Sequence, residues 1–219
     1  MRTVFHDELA QITEDLVGMA RLVSSAVTQA TTALLDADIQ TAEQVIDADE
    51  AIDLKRNDLD AHAIDLLARQ APVATDLRTI VTSMRMSADL ERMGDLARHV
   101  AKLARLRHPE PAVPTELREI VTDMSLVCER IVAKVADCLI SQSMELVDEI
   151  QLVDDELDEL HRRLYAHFAD GQWTHGTEAA VDMALLARYY ERFGDHAVSI
   201  SQRVRFLVTG QEVHTDLAD

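Results

Sequence analysis

The residues of this 219-residue chain best placed to do chemistry are carboxylates spaced four apart on helical stripes that are otherwise apolar. Ile39, Ala42, Ile46, Asp49, Asp53, Asp60, Ile64 and Leu67 follow one another in heptad steps, so Asp49 and Asp53 interrupt an apolar seam. Leu77, Val81, Met84 and Ala88 lead in the same rhythm to Glu91 and Asp95, and Ala180, Ala184 and Ala187 lead to Glu191 and Asp195. Asp154 and Asp158 are the repeat counterparts of Asp49 and Asp53. Side chains four apart share a helix face, and these faces are expected to turn inward, where a solvated acidic face would turn outward.

The pairs are also expected to meet. The midpoint of Asp49 and Asp53 lies 19 residues before Gln70, and that of Glu91 and Asp95 lies 18 after Thr75. At about 1.5 Å per residue the two are level across an antiparallel hairpin. In the second half the counts are 13 before Ala169 and 16 after Thr177, a mismatch of roughly 4 to 5 Å. Four carboxylates then converge in each half. Converging anions need protonation, a basic partner or a bound cation, and hard cations prefer oxygen donors of this kind. A metal site is the economical expectation. Gly94 and Gly194 support it, because a mid-helix glycine costs about 1 kcal/mol relative to alanine and usually has a packing or site reason. Arg92 and Arg192 sit next to their glutamates and project about 100° away. Arg98 reads as a cation complementing the end of its helix. His161 follows Asp158 by three residues, but its repeat counterpart is Arg56, which is no ligand.

Positioning these groups falls to long helices in a duplicated chain. Ala88-Asp89-Leu90-Glu91-Arg92-Met93-Gly94-Asp95 matches Arg188-Tyr189-Tyr190-Glu191-Arg192-Phe193-Gly194-Asp195 at an offset of 100, and Asp49, Asp53 and His62 match Asp154, Asp158 and His167 at 105. The offset of 105 also relates Leu117, Val121, Met124, Cys128, Ile131, Val135 and Cys138 to Ile12, Leu16, Met19, Val23, Ala26, Ala30 and Ala33, all apolar. The fold class is therefore all-α: two tandem three-helix bundles, over residues 1–108 and 116–219, joined by a proline-rich linker at 109–115. Helices are expected over Thr3 to Leu35, Ile39 to Gln70, Thr75 to Arg107, Thr115 to Ile140, Met144 to Ala169 and Thr177 to Val208. The breaks fall at Asp36-Ala37-Asp38, Pro72, Ser141-Gln142-Ser143 and Gly171 to Gly176, and Thr75, Thr115 and Thr177 are the expected N-caps. Cys128 and Cys138 lie on an apolar stripe and read as buried free thiols.

Composition narrows the function. With 21 Lys and Arg against 40 Asp and Glu the chain carries −19, which excludes a phosphate-backbone binder and makes nucleic acid an unlikely partner. Residues Met1 to Leu9 hold no apolar core, and no stretch approaches the roughly 18 apolar residues needed to span a bilayer, so a cytoplasmic protein without membrane insertion is expected. A di-metal carboxylate oxidase of the ferritin-like kind needs Glu-x-x-His on two helices, and no such spacing occurs. A purely structural helical adaptor without metal is the other alternative.

Two three-helix repeats, each with an acidic x-x-x-Asp pair on its second helix and Glu-Arg-x-Gly-Asp on its third, resemble the PhoU family of phosphate-specific transport accessory proteins. Met1-Arg2-Thr3, Gln70-Ala71-Pro72-Val73-Ala74 and Tyr190-Glu191-Arg192-Phe193 look like its actinobacterial branch. The resemblance implies a non-enzymatic negative regulator of phosphate uptake and of the phosphate-starvation response. Its implied partners are a sensor histidine kinase and the ATPase subunit of the phosphate ABC transporter, with a homodimer as the expected assembly. It further implies that Asp49 with Asp53, Glu91 with Asp95, Asp154 with Asp158, and Glu191 with Asp195 ligate a cation: iron, zinc, manganese or magnesium.

Overall fold

In the computed structural model, which describes residues 2–169 and 173–211, the chain runs α1 (Arg2–Asp36), α2 (Ile39–Gln70), α3 (Ala74–Arg107), a single 3-10 turn (Thr115–Leu117), α4 (Arg118–Ser141), α5 (Met144–Ala169) and α6 (Gly176–Thr209). Among the described residues there is no strand. The breaks have local causes. Asp38 sits in extended backbone and its Oδ1 accepts from the amides of Gln40 (3.0 Å) and Thr41 (3.1 Å), capping α2. Ala71, just ahead of Pro72, ends α2 with a left-handed φ of 42°, and Gln142 ends α4 at 52°. The expected break from Gly171 begins at residues outside the described ones, while its far end, Gly176, opens α6.

None of the three threonines expected to cap does so. Extended Val73 precedes α3 and places Thr75 inside the first turn. Pro114 starts the 3-10 turn, with the Leu117 amide donating to its carbonyl at 3.0 Å, so Thr115 is already helical. His175 precedes α6 without a side-chain cap.

Helices α1, α2 and α3 pack mutually, as do α4, α5 and α6, and the halves meet through α1 against α4 and α3 against α6. The α4 seam from Leu117 to Cys138 is buried throughout, both cysteines as free thiols. Its α1 counterparts Ile12, Leu16, Met19, Val23, Ala30 and Ala33 are buried as well. Burying a large aliphatic side chain contributes about 1.5–3 kcal/mol, so this double seam is the core that joins the repeats. Polar links fasten the same interface. Thr31 and Tyr190 share a hydrogen bond of 2.6 Å, the Arg107 guanidinium grips Asp182 at 2.6 and 3.0 Å, and Asp89 pairs with His196 (3.1 Å) and Arg203 (2.7 Å).

Because α3 and α6 are covered by their own bundle and by the other half, their buried faces are wide, while α2 presents one narrow buried stripe: Ala42, Val45, Asp49, Ile52, Leu59, Ala63 and Leu66. This rotates the inward direction from the expected seam. Ile64 is 58% exposed, Leu77 41% and Val81 36%. The acid stripes run along the shoulders where α2 meets α3 and α5 meets α6, and one aspartate in each half, Asp49 and Asp154, reaches the buried stripe.

Candidate functional site

The approach of the helices at the acidic shoulders depends on glycine. A Cβ on Gly94 would stand 2.8 Å from Cδ1 of Ile52 and 3.4 Å from Oδ1 of Asp49. One on Gly194 would stand 2.2 Å from Oδ1 of Asp154 and 2.9 Å from Cδ2 of Leu157. Asp49 and Asp154 thus lie directly against the bare backbone of the opposite helix, more tightly in the second half.

In the first half the carboxylates are already compensated. One guanidinium nitrogen of Arg98 donates to Oδ2 of Asp49 at 2.5 Å and another donates to Asp95, so a single side chain ties α2 to α3 and shows the two aspartates to be level. Glu91 has Arg56 and Arg92 each at 3.6 Å, and Arg92 donates to Asp95 at 3.0 Å. Three of the four acids, Asp49, Glu91 and Asp95, therefore face arginine, and Asp53 forms no ion pair among the described residues. Burial pushes the Asp49 carboxyl up from its ordinary range, and the Arg98 charge is the main influence drawing it back. Burial likewise raises Glu91, opposed first by Arg92.

The second half has no equivalent of Arg98: Val198 stands in that place. Asp154 is buried, and neither it nor Asp158 nor Asp195 forms an ion pair among the described residues. Only Glu191 is paired, with the exposed Arg188 one turn before it. Burial pushes the Asp154 carboxyl up to about 7, and the charges of Asp158, Asp195, Asp155 and Glu191 push it the same way. Asp195, on the exposed rim, is raised by partial desolvation and then by Glu191, with Arg188 opposing. His161 stands where the first half has Arg56, its Nε2 buried without a hydrogen-bond partner and its ring 4.6 Å from that of Tyr165.

The spacing that sets Arg92 aside as a counter-ion is overturned, because its long side chain bends back to both Glu91 and Asp95, and Arg98, expected to complement the end of its helix, instead bridges Asp49 and Asp95. The signal for Arg98 was present: it follows Asp95 by three residues, and the repeat alignment sets it against Val198. Among the described residues no three His, Cys, Asp or Glu side chains stand in an arrangement that could hold a metal ion. The fit of a cation therefore rests on donor chemistry and resident charge. On both counts the halves differ: in the second the donors are oxygens and buried Asp154 is packed against Gly194 with no basic partner among the described residues. In the first a guanidinium already lies between Asp49 and Asp95.

The PhoU domain family matches residues 16–104 and 121–204, one copy per half. The chain is 45% identical over 210 residues to phosphate-specific transport system accessory protein PhoU homolog 2 of Mycobacterium tuberculosis, covering 96% of this chain and 99% of that one. It is 44% identical to PhoU homolog 1 of Mycobacterium leprae, covering 96% and 95%. The crystal structure of PhoU from Pseudomonas aeruginosa superposes with a TM-score of 0.84 at 28% identity, over 94% of this chain and all of that one.

Proposed function

The chain belongs to the PhoU family, and from that premise we propose that it is an accessory protein of phosphate-specific transport. In this reading it restrains uptake and the starvation response by contacting two partners, the ATPase subunit of the phosphate ABC transporter and a sensor histidine kinase. The observation that carries the reading is the match over both repeats, at 41–45% identity, to mycobacterial proteins named as accessory proteins of that transport system. No helix among the described residues is long and apolar enough to cross a membrane, so on this reading the membrane complex is engaged through protein contacts. The net charge suits basic partner surfaces.

Cation binding belongs to the proposal as well. Asp49, Asp53, Glu91 and Asp95 in the first half and Asp154, Asp158, Glu191 and Asp195 in the second are the family's acidic pairs, and the donor chemistry favours the second set. A bound divalent or trivalent ion would neutralise the carboxylates and stiffen the contact between the two helices that carry them. Around it the chain's own residues have defined work. Gly194 admits Asp154 to the helix backbone, Arg188 orients Glu191, and Leu157 closes the apolar side.

The test is a deletion strain grown in high phosphate, with alkaline phosphatase and transporter expression as readouts. Derepression is expected, and restoration of repression by the wild-type chain completes the case. Normal repression in the deletion strain contradicts the role. Co-purification with the transporter's ATPase subunit and with the kinase checks each partner separately.

A further inference from the structure

We infer that the groove between α4 and α5 is a docking site for a basic amphipathic helix of a partner protein. The inference rests on the reading of the chain as a protein that works by contacting partners, and it names the surface and the chemistry of one such contact.

Helix α4 is backed by α1 and helix α5 by α6, and on their other side the two leave an open groove of about 580 Å³ between them. Buried Val127 and Leu160 form its floor, and Leu126, 57% exposed, stands at its rim. The apolar line continues past the ion pair of Arg130 with Glu156: exposed Ala133 follows Leu126 by seven residues on α4, and Leu152, 65% exposed, precedes Glu156 by one turn on α5. Two helical turns, about 10 Å, thus separate two apolar stations along the groove, the spacing of residues i and i+7 on one face of an amphipathic helix. An apolar line of this exposure, rimmed by charge, marks an interaction site.

The charges select the helix. The rim holds Asp123, Asp155, Glu156 and Glu159 against Arg130 and Arg163. Glu156 is tied to Arg130 and Glu159 to Arg162, while Asp123 and Asp155 form no ion pair among the described residues and are available to a Lys or Arg beside the partner's apolar stripe. The residues after Pro109 carry 9 basic against 22 acidic side chains, so the wider field draws the same kind of helix. The first half offers no such surface. At the offset of 105 Arg21 stands for Leu126 and Lys55 for Leu160, and Nζ of Lys55 lies 3.7 Å from where a Cβ on Gly18, the counterpart of Asp123, would stand. Rim and floor there are cationic.

The probe is a fluorescein-labelled synthetic peptide that forms an amphipathic helix, with leucines at i, i+3 and i+7 flanked by lysines. It is titrated with full-length protein by fluorescence anisotropy, and circular dichroism reports the fold of each variant. Leu126→Asp is expected to weaken binding at least about tenfold by removing one apolar anchor. Attraction to net charge alone predicts the reverse, because this variant adds a negative charge, so unchanged or tighter binding overturns the inference. Glu159→Lys is expected to weaken binding several-fold, whereas Asp47→Lys, an equal change of charge at the exposed first-half position matching Leu152, should leave it within about twofold. Equal losses in these two variants overturn the groove as the site. Purified ATPase subunit and purified sensor kinase are then captured on immobilised wild-type and Leu126→Asp protein, and loss of at least one is expected. Retention of both by the variant overturns the groove as a partner site while leaving the accessory role intact. Capture of neither by the wild type contradicts that role, and the peptide titration still decides the groove. A second copy of this chain is the other occupant: a wild-type dimer that Leu126→Asp dissociates in sedimentation overturns the assignment to a partner.

Discussion

Asp49 and Asp154 occupy matching places in the two repeats, each buried, each on the second helix of its bundle and each against a glycine of the third. Their surroundings differ in one decisive respect: Asp49 meets the Arg98 guanidinium at 2.5 Å, whereas Asp154 has no basic partner among the described residues and is surrounded by the charges of other carboxylates. The motif residues are the same in both halves. What decides their state is the residue one turn beyond the motif, Arg98 or Val198. Duplication therefore preserved a scaffold and let the two copies differ in how the same electrostatic problem is met, one with a covalently attached cation and the other with no basic partner for its buried aspartate among the described residues. The difference also predicts unequal rigidity, because a fixed ion pair ties α2 to α3 under all conditions while α5 and α6 are tied through the acids only when something neutralises them.

The largest expected effect breaks the first half. Arg98→Val leaves buried Asp49 without its partner and should destabilise the protein by about 3 kcal/mol, the low end of the cost of orphaning a buried charge, given the partial exposure of the arginine. Urea denaturation of chelator-treated protein measures it, with Val198→Arg expected to stabilise by about 1 kcal/mol in the same assay. Equal destabilisation by both exchanges would remove the contrast.

Next in size is a pH dependence. Asp154 holds its proton in the folded state up to about 7, against an ordinary value of 3.8. Between those values the unfolded chain has released the proton and the folded chain has not. The stability that Asp154 contributes is thus complete below pH 4 and is lost as pH rises through about 7. Metal-free Asp154→Asn should be more stable than wild type by about 2 kcal/mol at pH 8 and should show a flatter stability profile from pH 5 to 8. Asp49→Asn should instead destabilise, because it leaves Arg98 without its acid.

The glycines give a smaller contrast. Gly194→Ala drives a methyl into Asp154 and Leu157 and should cost about 1.5 kcal/mol by thermal denaturation. Gly94→Ala meets chiefly the mobile end of Ile52, and the helix preference of alanine, about 1 kcal/mol, should bring it close to neutral. Smallest is the capping difference. Asp38→Ala should cost about 1 kcal/mol, and Ser143→Ala, whose hydroxyl accepts from Leu146 only at 3.4 Å, a few tenths.

The helices were legible in the sequence because their breaks are chemical: Pro72, the Asp38 cap and the proline run near 109 act locally. The repeat was legible because Glu91 to Asp95 and Glu191 to Asp195 keep their spacing. The rotation of each helix was less so. Leu77 and Ile64 sit on a heptad with the acids yet are exposed, since α3 must also bury a face against α6, a contact that no single-helix pattern reports. The threonine caps failed for a similar local reason, as Pro114 and the extended Val73 start their helices earlier. The cross-half pairs Asp89 with Arg203 and Arg107 with Asp182 lie 114 and 75 residues apart, beyond any local rule. Arg98 was within reach, since comparing the repeats residue by residue past Asp95 and Asp195 exposes it.

The most direct test of unequal counter-ions is anomalous diffraction at the manganese edge from crystals of the wild-type protein equilibrated with Mn²⁺. The account predicts an anomalous peak beside Asp154 in the second half and none beside Asp49, where the Arg98 guanidinium should still bridge to Asp95. Peaks of equal height in both halves, or a peak beside Asp49 with Arg98 swung away, would contradict it.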